Sequence, residues 1–96
     1  MTEKESKIQR NILAWLHDNG FWAFKVVTAN VRGIPDIVGC TPQGLFFAIE
    51  VKAGNNVLSV LQAYKLKEIQ GKNGIAFSAY SVEEVKAILG KHSIAL

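Results

Sequence analysis

Apolar residues near the start of the chain recur at helical spacing. Ile8, Ile12 and Leu16 stand four apart with Leu13 and Trp15 beside them, and predict a helix from about Glu3 to Asn19 that Gly20 ends. Glu5 precedes Ile8 by three residues and Ile12 by seven, so its carboxylate shares the core-facing side. An acid there either favours the positive end of the helix or serves a site. The pattern then becomes that of strands. Phe21 to Val27 is rich in aromatic and β-branched residues, and the polar segment Thr28 to Gly33 reads as a loop. Pro35 biases Ile34 toward extended geometry and aims Asp36 at the mouth of a second run, Asp36 to Gly39. The turn Thr41-Pro42-Gln43-Gly44 leads into a third, from Leu45 to Lys52.

A second helix is predicted from about Ser59 to Gln70, ending near Gly71 and Gly74, with Leu58, Leu61, Leu66 and Ile69 as its buried face. Gln62 falls in the middle of that face. Its amide either satisfies a backbone group in the core or lines the same pocket as the acids. Val60 and Tyr64 lie on the opposite side and suggest a subunit contact. Ile75 to Tyr80 is a last strand. Ser81-Val82-Glu83-Glu84 has the capping-box pattern for a helix through about Leu89, with Gly90 as its C-cap and a tail from Lys91 to Leu96 that is a short strand or loose end. The order α-β-β-β-α-β-α predicts a mixed β-sheet flanked by helices, an α/β (α+β) fold. The connection between the third and fourth strands has the length of a right-handed crossover, so those two should be parallel.

Composition adds little to this picture. Ninety-six residues without repeats or linkers make one domain, 1–96, and eleven Lys and Arg against eight Asp and Glu leave a formal charge of +3, a mild hint of polyanion binding. The single Cys40 reads as a small core residue, and Trp15, Phe21 and Trp22 as core or interface packing. No apolar stretch approaches membrane-spanning length and the first residues are charged, which points to a cytoplasmic protein.

The chemistry is concentrated between Ile34 and Lys52. Asp36, Glu50 and Lys52 are set into apolar β-type runs, where unpaired charge is expensive to desolvate. Glu50 and Lys52 share one face of their strand, roughly 7 Å apart along it, while Phe47, Ile49 and Val51 point the other way. Folding back at the turn brings Asp36 beside Glu50. Two carboxylates held together require a proton or an intervening cation, and hard oxygen ligands at an open site suit Mg²⁺ or Mn²⁺. A buried ion cluster is the structural alternative, but such clusters contribute little net stability. Lys4, Lys7 and Arg10 flank the first helix, and Lys25 and Arg32 stand near the Asp36 turn; these are solvated surface charges or phosphate contacts. His17 and His92 stand alone and receive no role.

Ile34-Pro35-Asp36 followed by Glu50-Val51-Lys52 resembles the PD-(D/E)XK nuclease signature, whose core is that of restriction endonucleases. Nearly the whole chain resembles the virus-type replication-repair nuclease domain, VRR-NUC, in the stand-alone form found in phages. The features in common are an early helical Glu5, the Gly-Ile-Pro-Asp turn, the Glu-Val-Lys strand and the Ser59-x-x-Gln62 helix start. The resemblance implies that Asp36, Glu50 and the backbone carbonyl of Val51 bind a catalytic Mg²⁺ or Mn²⁺. It implies that Lys52 orients water or stabilises charge on the phosphate, that Glu5 supports the metal site, and that Gln62 positions neighbouring groups. It further implies a DNA endonuclease selective for branched DNA such as four-way junctions, working as a homodimer. A non-catalytic DNA-binding or assembly module and a restriction-like duplex endonuclease are the alternatives.

Overall fold

Side chains alternate along the third apolar run, and that alternation decides the layering. Phe47, Ile49 and Val51 are buried on one face, while Phe46, Ala48 and Glu50 turn to the other. The computed structural model describes residues 2–92. Its elements are α1 (Glu3–Asp18), β1 (Trp22–Lys25), β2 (Ile37–Cys40), β3 (Phe46–Val51), α2 (Val60–Gly71), β4 (Ile75–Ala79) and α3 (Val82–Lys91), in the predicted order. The strands form one mixed sheet in spatial order β1-β2-β3-β4. The first three are antiparallel, and β3 pairs with β4 in parallel across the α2 crossover.

The main core lies between one face of the sheet and the pair α1 and α3. Ile12, Leu16, Ile37, Phe47, Ile49, Val85 and Leu89 are all fully buried there. Phe21 meets Phe47 edge to face at 5.4 Å between ring centroids. The other face is covered by α2 alone, which packs Leu66 over Ala48 and Ala76 with Val38, Leu58 and Ile69 around them.

Six local expectations are corrected by the fold. The first strand is shorter than Phe21–Val27, because the Phe21 amide donates to the Leu16 carbonyl and so closes the helix end while its ring enters the core. Trp22 is two-thirds exposed, and Cys40 is half-buried on the α2 side instead of in the main core, because α2 covers only part of that face. Leu61 is 40% exposed for the same reason. The last helix runs through Gly90 to Lys91 with His92 as its C-cap, since Gly90 keeps an ordinary helical φ and so ends nothing; residues 93–96 of the expected tail lie outside the described part. On α1 the buried stripe is Glu5, Gln9, Ile12 and Leu16, with Ile8 only partly covered.

Two residues carry predictions about stability. Gly39 sits where β1 and β2 approach so closely that an added Cβ would collide with the Trp22 carbonyl and the Ala23 backbone. Gly39→Ala is therefore expected to destabilise the protein by about 3 kcal/mol or more, read from chemical denaturation; a loss within error would contradict the close approach. Gln9 is 2% exposed and its Nε2 has no partner within the described chain. Gln9→Met is expected to raise stability by about 1 kcal/mol, because it removes an unsatisfied donor while keeping the volume; a fall in melting temperature would argue against this account.

Candidate active site

The β2–β3 register places the acidic pair. Ile37 lies across from Ile49, so the next position outward sets Asp36 across from Glu50 on the α2 side of the sheet. Asp36 is fixed from two sides. Its carbonyl accepts from the Val26 amide at 2.8 Å, which continues the β1 pairing, and its Oδ2 accepts from the Val51 amide at 2.8 Å. One carboxylate oxygen is thus committed to β3. Glu50 is 4% exposed. Burial, and after it the negative charge of Asp36, push its carboxyl up to about 8. Lys52 moderates this from the same face, its Nζ 3.7 Å from Glu50 Oε2.

Two helix starts converge on the pair. Ser59 caps α2 by accepting from the Gln62 amide at 3.1 Å, and Gln62 Oε1 accepts from the Ser59 amide at 2.9 Å. The other end of the same amide, Nε2, donates to Glu50 Oε2 at 3.2 Å. Gln62 therefore joins the two roles that the sequence left open: it completes a helix cap and binds the buried acid. Glu5 repeats this arrangement on α1. It accepts from the Thr2 amide at 2.9 Å and its own amide donates to Thr2 Oγ1 at 3.1 Å, closing a capping box, while its carboxylate lines the cleft. The Thr2 amide outweighs burial and holds the Glu5 carboxyl below its usual range, helped by the Thr2 hydroxyl, the Asn56 side chain and the charge of Lys52. Both α1 and α2 so direct their first turns, the positive ends of their dipoles, at one place.

The result is an open cleft of about 200 Å³ lined by Glu5, Asp36, Glu50, Val51, Lys52 and Gln62. These are the six residues expected to carry the chemistry, drawn from three elements, α1, β3 and α2, and from the two loops that hold Asp36 and Lys52. The basic residues expected to meet DNA do not line it. Lys4, Lys7, Arg10, Lys25 and Arg32 are all exposed. Lys25 ends β1 one residue before the Val26 contact with Asp36, and Lys4 neighbours Glu5. Helical geometry turns Lys7 and Arg10 toward the solvated side of α1, away from the buried stripe.

The donor set fits a hard divalent cation that keeps much of its hydration. Among the described residues no three of His, Cys, Asp and Glu form a ready-made cage. Two facing carboxylates, one forced toward its neutral form by the other and by burial, nonetheless make a place where a cation relieves repulsion. Sequence reading missed Gln9 and Asn56. Thr2-x-x-Glu5 is a visible capping-box pattern and could have signalled why an acid stands at the start of α1; nothing local marks Asn56, which reaches Glu5 only through the fold.

Comparison with known proteins agrees with this geometry. The sequence profile of the VRR-NUC domain matches residues 2–83. A solved structure described as a VRR_NUC domain superposes with a TM-score of 0.79 at 20% identity, covering 93% of this chain and 97% of the other. A second, a VRR_NUC domain protein, gives 0.69 at 17% identity over 95% and 88%. The Hjc Holliday junction resolvase of Archaeoglobus fulgidus gives 0.63 at 28% identity, covering 82% of this chain and 65% of the resolvase. No curated protein matches in sequence.

Proposed function

Because the chain belongs to the VRR-NUC domain family of nucleases, we propose that it is a Mg²⁺- or Mn²⁺-dependent DNA endonuclease that cuts branched DNA, four-way junctions included, as a homodimer. The observation that carries this reading is the pairing of Asp36 with a buried Glu50 in an open cleft, with Lys52 beside them. A divalent cation at that pair would lower the pKa of its water and offset charge on a phosphate oxygen. The chain supplies the remainder. The Asp36 and Glu50 carboxylates offer hard oxygens, and the carbonyl of Val51, the residue after Glu50, is a further acceptor. Lys52 brings a compact positive charge to the phosphate as negative charge develops on it. Gln62 holds Glu50 in orientation through Nε2, and Glu5 keeps a negative charge at the far wall. The first turns of α1 and α2 favour a phosphate at the cleft mouth.

Branched DNA is the preferred substrate in this reading for two reasons. The likeness to a junction resolvase extends over most of the chain, and a two-fold pair of clefts suits a substrate with two equivalent strands. Exposed Lys4, Lys25 and Arg32 would hold backbone phosphates, so binding should weaken steeply with salt and read bases little. The test is incubation of the purified protein with junction, flap and linear duplex DNA, with and without Mg²⁺ or Mn²⁺. Metal-dependent cutting of the junction at paired positions is expected. Binding without cleavage under every condition would favour a non-catalytic module, and sequence-fixed cuts in linear duplex a restriction-like enzyme.

A further inference from the structure

Exposed aliphatic side chains gather at the end of the sheet that holds the cleft. Among the described residues the large exposed aliphatics are Val27, Val31, Leu45, Val57, Val60 and Leu61. All but Leu45, which precedes β3 at its far end, belong to the β1–β2 loop or to the approach and first turn of α2. Val60 is 90% exposed, Val27 84% and Val57 74%. Single surface valines need no explanation, but a set confined to one rim does. Each segment is tied to the cleft. Val27 follows Val26, whose amide donates to the Asp36 carbonyl, and Val57 follows Asn56, whose side chain reaches Glu5. Val60 and Leu61 stand between Ser59 and Gln62, the pair that caps α2 and binds Glu50. The two segments also meet: Gly33 approaches Leu61 so closely that an added Cβ would lie 2.8 Å from Leu61 Cγ. Loop and helix start thus form one collar at the mouth of the cleft.

From this geometry we infer that the aliphatic collar covers the base-pair face left bare where a duplex arm ends at a branch, and that this contact separates branched from continuous DNA. The inference deepens the reading above and takes from it only that the cleft meets DNA. Valine and leucine side chains form no hydrogen bonds, so they cannot read base edges. What they can do is take apolar surface out of water. Along a continuous duplex each base pair hides its faces against its neighbours, and a wedge entering there must first unstack them at a cost in free energy. At a branch that stacking is already lost or weakened, so the same side chains gain a partner at little cost.

Charge supports the same occupant. No acidic residue stands between Asp18 and Asp36, a stretch that carries Lys25 and Arg32, and none stands between Glu50 and Glu68, a stretch that carries Lys52, Lys65 and Lys67. Both segments of the collar therefore join aliphatic side chains to unopposed basic ones. That mixture suits the end of a duplex arm, which offers an apolar face bordered by phosphates. A continuous duplex would use only the basic part. Position gives the contact its use, because an arm end seated on the collar leaves its backbone beside Asp36, Glu50 and Lys52.

The test compares the wild-type chain with the double variant Val27→Ser, Val57→Ser, one substitution in each segment, on a four-way junction and on linear duplex of equal length. Binding is read by fluorescence anisotropy without divalent metal at one fixed salt concentration; thermal melting and sedimentation check that fold and assembly are unchanged, as expected for exposed sites. The variant is expected to lose junction affinity by about tenfold or more and to hold linear duplex within about twofold. Arg32→Ala should instead weaken both substrates alike. A 2-aminopurine placed at the branch gives a second readout: its fluorescence should rise when the wild type binds, as it leaves its stacked neighbour, and stay flat with the variant. A wild type that binds both substrates equally, or a variant that keeps the wild-type preference, would overturn the inference. Selective binding that the variant loses, in a wild type that cuts nothing with Mg²⁺ or Mn²⁺, would leave it standing and remove the nuclease reading instead.

Discussion

Lys52→Ala is expected to lower turnover on junction DNA at least a hundredfold while leaving DNA affinity within about twofold. The size follows from what loss of one preorganised charge-stabilising group does to a phosphate-transfer transition state, about 10²–10³ in rate. The selectivity follows from position. Lys52 is largely enclosed in the cleft, and its contact with Glu50 at 3.7 Å is loose, so it contributes to one oxygen at the reacting centre and little to the hold on the backbone. In the proposed reading the affinity comes instead from phosphate contacts spread over exposed lysines and Arg32. Single-turnover cleavage and fluorescence anisotropy on the same junction separate the two quantities. Equal losses in both, or a lowered melting temperature, would mean that Lys52 holds the fold or the substrate and not the transition state. Asp36→Asn serves as the companion: it keeps the hydrogen bond from the Val51 amide but removes the charge, and should weaken Mg²⁺ or Mn²⁺ dependence. An unchanged metal titration would exclude Asp36 as a ligand.

The second large effect is on stability in the metal-free protein. Glu50 titrates near 8 in the folded chain against 4.5 for the ordinary carboxyl. Between those values the folded state holds a proton that the unfolded state has released, so stability falls as pH rises through the window and levels off above it. Below pH 4.5 the contribution is complete. Glu50→Gln removes the titration, keeps the shape and keeps an acceptor for Gln62 Nε2. The variant should therefore show a flatter pH profile of unfolding free energy from about 5 to 8 and exceed the wild type at pH 8 by an amount on the order of a few kcal/mol. Glu5 contributes with the opposite sign, since its lowered pKa is stabilising above the usual carboxylate range and is lost as pH falls; it is common to both proteins and cancels in the comparison. Parallel profiles for the two would show that Glu50 is ionised without a metal.

Much of this was legible in the residues, and the reasons are physical. Strand alternation fixes which side chains share a face, so Glu50 with Lys52, and Phe47 with Ile49 and Val51, followed directly. The tight turn at Gly44, with φ at +88°, fixed the hairpin and with it the meeting of Asp36 and Glu50. Crossover length made β3 and β4 parallel. What stayed hidden depended on how much of each surface a neighbour covers. Leu61 and Cys40 read as core because their types are apolar, and only the placement of α2 over one half of the sheet exposes them. Gln9 drew no attention because Ile8 was read as the start of the stripe, whereas the stripe begins at Glu5 and runs through Gln9 with Ile8 only partly covered. Trp22 shows the same limit from the other side. Its strand position was evident, its exposure was not.

The capping boxes have a consequence for how the molecule tolerates change. The side chains that tie off the first turns of α1 and α2 are themselves walls of the cleft, so each belongs at once to the scaffold and to the machinery. Fraying at either helix start, by heat or by loss of Thr2 or Ser59, would therefore disarm catalysis before the core melts. Activity should fade at temperatures where spectroscopy still reports an intact sheet.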